Sequence, residues 1–315
     1  LIEEGDLLFA RQSLVLSGAG KCSIVKEVDE PTTFESHLIR IRLKRELANP
    51  YFYHYYFKSP KCPIHSIVTQ GVQAGIRGND LKQLKVHLPP IEIQNRIADI
   101  ISNYDDLIEN NRRRIQLLER SLHLLYKEWF VHLRFPSHEH SKIVDGIPEG
   151  WEKKPLGSFV TLNYGKSLQS DKRVSGNYPV YGSSGIIGTH TEPLVKGHGI
   201  IVGRKGNVGK VFWADSDYFP IDTVYFISPE SSNFFLFYTL LNTQFTSTDV
   251  AVPGLNRNFA HSVNILIPDK KLLEIFEDLA KPIRKQISTL NKQNESLGKA
   301  RDLLLPKLMS GAISV

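Results

Sequence analysis

The sequence predicts an α+β chain of two globular parts, each closed by a long helix. Three observations predict it: a repeat within the chain, two runs of apolar residues at heptad spacing, and short β-branched or aromatic segments broken up by helical ones. In the repeat, Asp6-Leu7-Leu8-Phe9-Ala10-Arg11 matches Gly199-Ile200-Ile201-Val202-Gly203-Arg204, 193 positions on (204 − 11). Gly75-Ile76-Arg77-Gly78-Asn79 matches Gly254-Leu255-Asn256-Arg257-Asn258, 179 positions on (254 − 75), and Val86-His87-Leu88-Pro89 matches Ile265-Leu266-Ile267-Pro268 at the same offset. The fall in offset makes the second copy the shorter one in its middle.

Taken in order, residues 1–90 form the first globule, which opens on the strand-like run Leu7-Leu8-Phe9. Phe52, Tyr55 and Tyr56 share a helix face, and Val86 to Leu88 is a strand-like run ending at Pro89. Residues 91–135 are the first long helix. Ile97, Ile101, Tyr104, Ile108, Asn111, Ile115, Leu118, Leu122, Leu125 and Trp129 alternate steps of four and three, the seam of a coiled coil. Residues 136–147 are a linker of polar and helix-breaking residues. The second globule, 148–268, has strands at Val208 to Trp213 and Thr223 to Ile227 and a helix at Asn233 to Leu241. Residues 269–311 repeat the seam with Phe276, Ala280, Ile283, Ile287, Leu290, Leu297, Leu304 and Leu308. Asn294 and Arg301 interrupt it, and Pro282 is expected to kink the helix or reset its start. Residues 312–315 are a tail. The second helix returns along the first, so the two pack antiparallel.

Of 315 residues, 41% are hydrophobic and 23% charged, enough for two buried cores. A net charge of +6 and a pI near 9.1 suit a polyanion-binding surface, and equally an ordinary basic protein. Cys22 and Cys62 have no metal-ligand spacing and form no disulfide framework, which suits a reducing cytoplasm. No apolar run reaches the length of a membrane span. The chain begins at Leu1 rather than Met and runs straight into a strand, so upstream sequence is expected.

Motifs for chemistry fail one by one. Asn49-Pro50-Tyr51-Phe52 is close to an amino-methyltransferase motif, but lacks its second proline and a preceding glycine-rich loop. Leu16-Ser17-Gly18-Ala19-Gly20-Lys21-Cys22 is close to a phosphate-binding loop, but Val15 replaces its first glycine and Cys22 its Ser or Thr. His138 and His140 have no further metal ligands at suitable spacing and belong to the linker. The glycines 203, 206 and 209 around Arg204 and Lys205 fit tight turns and close backbone approach, or a hairpin with no ligand. No catalytic residue, cofactor or metal is therefore expected.

Ile147-Pro148-Glu149-Gly150-Trp151 with Leu156-Gly157 resembles the opening of a target recognition domain in the specificity subunits of type I restriction-modification enzymes. Tyr178-Pro179-Val180-Tyr181-Gly182-Ser183-Ser184-Gly185-Ile186-Ile187-Gly188 resembles that domain's central segment, and Gly199 to Gly206 the strand and turn after it. Lys127-Glu128-Trp129-Phe130 and Leu304-Leu305-Pro306-Lys307-Leu308-Met309-Ser310-Gly311 are similar to the ends of the family's two conserved helices. The resemblance implies two tandem DNA target recognition domains, the first represented here by its C-terminal part, spaced by an antiparallel coiled coil. It implies a non-catalytic chain that binds double-stranded DNA at a bipartite site. Its partners would be two adenine methyltransferase subunits, joined by restriction (translocase) subunits. A methyltransferase-only complex, a self-contained methyltransferase or nuclease, and a coiled-coil adaptor that touches only proteins stay open.

Reading bases takes paired donors or acceptors, Arg or Lys for guanine and Asn or Gln for adenine. In the second globule the candidates are Lys166, Gln169, Lys172, Arg173, Arg204, Lys205, Asn207, Lys210, Asn256, Arg257 and Asn258. In the first they are Arg11, Gln12, Lys21, Gln70, Gln73, Arg77 and Asn79. Arg112-Arg113-Arg114 is read as a solvated helix face near Glu109 and Glu119.

Overall fold

The computed structural model describes residues 1–60, 62–245 and 254–315. In the first copy, strands β1 (Leu7–Ala10), β2 (Gln12–Ser13), β3 (Cys22–Ile24) and β4 (Leu38–Ile41) precede helix α1 (Pro50–Lys58). Strands β5 (Thr69–Gln70) and β6 (Ala74–Gly75), helix α2 (Gly78–Gln83) and the long helix α3 (Ile91–Tyr126) follow. A hairpin of β7 (Ile143–Val144) and β8 (Ile147–Pro148) leads to β9 (Glu152–Pro155), β10 (Asn163–Tyr164), β11 (Tyr178–Gly182) and β12 (Gly185–His190). The second copy continues with β13 (Gly199–Gly203), β14 (Val211–Ala214), β15 (Phe219–Pro220) and β16 (Val224–Ile227). It ends with α4 (Phe234–Asn242), α5 (Arg257–Ser262), β17 (Asn264–Ile267) and α6 (Lys270–Met309). Two compact units result, Leu1–Arg114 with Leu290–Val315, and Ile115–Thr289, so each long helix contributes a segment to both.

In the first unit the antiparallel sheet runs β3-β1-β4. Leu7 and Phe9 are fully buried while Leu8 between them is only partly so, the alternation of a strand with one covered face. Helix α1 packs on β3. Pro50 opens that helix, and the Asn49 side chain accepts hydrogen bonds from Tyr51 N (2.8 Å) and Phe52 N (3.2 Å), satisfying two otherwise orphaned donors. Phe52, Tyr53 and Ile64 join Leu7 and Phe9 in one core, to which α3 adds Ile97 and Ile101 and α6 adds Leu305, Leu308 and Met309.

The α3 and α6 segments of this unit run antiparallel, as the order of their cross-pairs shows. Asn111 Nδ2 donates to Asn294 Oδ1 at 3.0 Å, and further along Arg301 NH1 donates to Asp105 Oδ1 at 2.5 Å. The residues that interrupt the apolar spacing thus carry their own partners, and Tyr55 Oη also donates to Asp105, at 2.9 Å. None of the seam residues named from the sequence is exposed.

The second unit holds a four-stranded sheet, β10-β16-β13-β14, and a three-stranded one, β12-β11-β15, in which β11 and β15 are parallel. Asn233 caps α4 by accepting from Leu236 N, and Glu277 of α6 accepts from Phe235 N, both at 2.8 Å. An aromatic cluster forms around Phe130, whose ring lies 4.9 Å from Phe235, 5.1 Å from Phe276 and 5.9 Å from Trp151. Phe130 and Trp129 sit in a π-helical turn, Lys127–Val131, closing α3; Leu133 then takes a left-handed backbone (φ 59°) and the winding stops.

Two expectations need correction. Helix α6 starts twelve residues before Pro282 and runs through it without a break, so the proline does not reset the start of the helix. Pro282 and Asp278, whose carbonyl loses its partner, are both exposed, so water can take the place of the missing N–H. Val86 to Leu88 forms no strand, although its counterpart β17 does. Strand β17 is held by its pairing with β9, whereas residues 86–88 have no partner strand among the described residues.

Candidate nucleic-acid interface

The two copies build the same hairpin. Beyond β13, Arg204 N donates to Thr223 O (2.9 Å) while Arg204 O accepts from Leu255 N (2.8 Å). Beyond β1, Arg11 N donates to His37 O (2.8 Å) and Arg11 O accepts from Ile76 N (2.9 Å). The side chains correspond too: NH1 of Arg204 donates to Asp222 O (2.9 Å), NH1 of Arg11 to Ser36 O (3.4 Å). Lys210 and Lys21 also correspond, their carbonyls accepting from Gly203 N (2.7 Å) and Ala10 N (2.9 Å). Gly209 (φ 73°) and Gly20 (φ 76°) make the left-handed turn just before each lysine, where a side chain would be strained.

In the second copy this hairpin borders a cavity of about 120 Å³, lined by Tyr164, Arg204, Lys205, Tyr225, Gly254, Leu255, Asn256 and Arg257. The Arg204 and Arg257 guanidinium groups stand over the Tyr164 ring, 5.0 and 4.9 Å from its centroid, and Arg204 is also 5.8 Å from that of Tyr225. Tyr225 Oη donates to Leu255 O (2.8 Å), and burial pushes its phenol up, keeping it neutral. Among the described residues, three cations and no carboxylate line the cavity, a lining that favours an anion or the acceptor edge of a base.

The structure brings Arg204, Lys205, Asn256 and Arg257 together at this cavity. Asn256 caps α5, its Oδ1 accepting from Asn258 N (2.8 Å) and Phe259 N (3.2 Å), so that oxygen is committed to the backbone. Asn258, Asn207 and Lys210 are exposed and do not line the cavity. Nor do Lys166, Gln169, Lys172 and Arg173, which follow β10. Arg173 ties that loop to Leu168 O and Ile187 O, a structural duty. In the first copy Gln12 pairs with Gly75 across β2 and β6, and its amide meets the His37 ring. Gln70 lies on β5, Gln73 in the turn before β6, and Arg77 and Asn79 at the start of α2; these, with Arg11 and Lys21, are exposed. Sequence reasoning missed Tyr164 and Tyr225. The signal for Tyr164 was an aromatic residue two positions before Lys166, at the edge of a polar, glycine-bounded stretch.

A domain that occurs twice, presents cations from a hairpin and uses its long helices for pairing defines a recognition protein. The sequence model of the family described as type I restriction modification DNA specificity domain matches residues 1–120 and 148–295. The chain belongs to this family of specificity subunits, the non-catalytic members of type I restriction-modification systems. It is 24% identical to the type I restriction enzyme MjaIX specificity subunit of Methanocaldococcus jannaschii, over 98% of this chain and 79% of that protein. It is 33% identical to the EcoKI specificity subunit of Escherichia coli, over 34% of this chain and 25% of that one. The crystal structure of a type I S subunit from M. genitalium shares the fold, with a TM-score of 0.62 and 19% identity over 98% of this chain and 83% of that one. Among the described residues no helix is long and apolar enough to cross a membrane.

Proposed function

We propose that the chain reads a bipartite site on double-stranded DNA, one half with each copy of the domain, on behalf of a type I complex in the cytoplasm. Residues 1–90 and 148–268 are the reading domains, and helices 91–135 and 269–311 set the spacing between half-sites. Two adenine methyltransferase subunits dock on those helices, and restriction subunits join them. The observation that carries this reading is the arginine found at the same place in both hairpins, with the same backbone bonds. In the second copy it opens onto a cavity lined by cations and aromatic rings, groups suited to phosphates and to the O6 and N7 edge of guanine.

The test is to exchange residues 148–268 for those of a relative, express the hybrid with its methyltransferase, and map methylated adenines across the genome. One half of the motif is expected to change and the other to persist. A change in both halves, or in neither, would count against separate reading by the two copies.

A further inference from the structure

The first hairpin differs from the second by an insertion. Seven positions separate the bonded pair Gly203 and Lys210 (210 − 203), but eleven separate Ala10 and Lys21 (21 − 10). The extra residues bring Leu14, Val15 and Leu16 to the surface, 86%, 61% and 52% exposed. Val72, fully exposed, lies in the turn between β5 and β6, and β6 pairs with β2 directly before Leu14. Four large apolar side chains therefore stand at one end of the small β2-β6-β5 sheet.

Their display is built into the loop. Ser13 Oγ accepts from Val15 N (3.2 Å), Gly18 N donates to Val15 O (3.0 Å), and Ala19 is buried beneath. A Cβ at position 18 would fall 2.0 Å from Ser13 Oγ, so glycine is required for the turn to close. Residues 7–26 and 47–79, which carry the patch, contain no Asp or Glu, while Arg11, Lys21 and Arg77 flank it. An apolar tip among cations and amides, with no carboxylate in either segment, is complementary to a polyanion that also offers apolar spots.

We propose that Leu14, Val15, Leu16 and Val72 read thymine in the half-site of the first copy by packing on its C5-methyl group. The inference rests on the DNA-reading function above and assigns these residues a part in it. The thymine methyl is the apolar group that base edges present in the major groove, and that groove admits a β-ribbon. The neighbouring Gln70 and Gln73, which are exposed, supply the amide that pairs with adenine. The first half-site accordingly contains at least one A·T pair whose thymine methyl meets this patch.

The full chain is used to select duplexes from a random pool, and each thymine of the selected duplex is replaced singly by deoxyuridine, which lacks only the methyl. Affinity is expected to fall about fourfold at one or more thymines of one half-site, the worth of one methyl group taken out of water. A variant carrying Leu14→Ser and Val72→Ser should bind thymine and deoxyuridine duplexes alike at those positions, with the other half-site unchanged. Selection of a defined sequence without methyl sensitivity, or sensitivity that survives in the variant, overturns this inference alone. A variant that keeps the sensitivity but no longer assembles with the methyltransferase subunit overturns it too, giving the patch to a protein partner. If no sequence is enriched, the DNA-reading function falls and this inference with it.

Discussion

Mild acid should loosen the first unit through His54. The imidazole is buried on α1, and its Nδ1 has no hydrogen-bond partner among the described residues. Burial is the main force holding its pKa down to about 4; Lys58 and Lys26 push the same way and Asp105 opposes them. In the unfolded chain the group titrates near 6.5. Because the folded value is the lower one, the stabilisation is complete above 6.5. It is lost as pH falls towards 4, where the unfolded chain takes up a proton that the folded unit refuses. A difference of about 2.5 units at about 1.4 kcal/mol each comes to about 3–4 kcal/mol, a large share of a domain's stability of about 5–15 kcal/mol. Amide hydrogen exchange in residues 50–58 and 97–101 of the full chain, corrected for intrinsic rates, reports this locally. Between pH 6.5 and 5 the opening free energy should drop by more than 1 kcal/mol, and the variant His54→Leu should flatten the slope. A flat wild-type profile, or an equal slope in the variant, would refute the reasoning.

Asp105→Ala leaves the half-buried Arg301 with Asp302 as its one carboxylate partner among the described residues and leaves the Tyr55 hydroxyl unpaired, for a loss of about 2 kcal/mol in urea unfolding. Replacing Asp105 and Arg301 together by Leu should cost much less, and equal losses would show that the pair acts through packing alone. Burial pushes the Asp105 carboxyl up, but the bonds from Arg301 and Tyr55 outweigh it and hold it below the usual range. This stabilisation is present above the unfolded value and disappears only as pH falls through the lower folded one. Neutralising Arg204, Lys205 and Arg257 should weaken DNA binding and make its dependence on log salt shallower by about 0.9 for each phosphate left without its cation; an unchanged slope would remove these residues from the phosphate-binding surface. Asn256→Ala should destabilise α5 by about 1 kcal/mol and reduce affinity for every sequence, since its Oδ1 is a cap. Asn258→Ala should instead change which bases the selected sites contain, and the reverse pattern would contradict this division.

Local patterns were legible where the cause is local. The heptad seams fix a buried face by spacing alone, and the matched runs ending at Arg11 and Arg204 mark a duplicated segment. Long-range pairing was not legible. Tyr164 meets Arg204 only because β10 pairs with β16 and β16 with β13, and Arg301 needs Asp105, 196 positions away. Asn256 shows how one residue type serves two ends: the amide that suits adenine also caps a helix, and the capping geometry emerges only with the turn around it. Val86 to Leu88 reads as a strand because its residues favour one, yet a strand also needs a neighbour.

The backbone, rather than the side chain, of Arg11 and of Arg204 holds each hairpin to the strands around it. Either side chain could be replaced and the amide and carbonyl bonds would remain, so a new residue would arrive already aimed. At Gly203 the opposite applies, since a Cβ there would lie 2.1 Å from Asn207 O. Drift in such a chain should therefore concentrate at a few side chains set in an unchanging frame, letting a lineage acquire new target sequences by single substitutions without passing through unfolded intermediates.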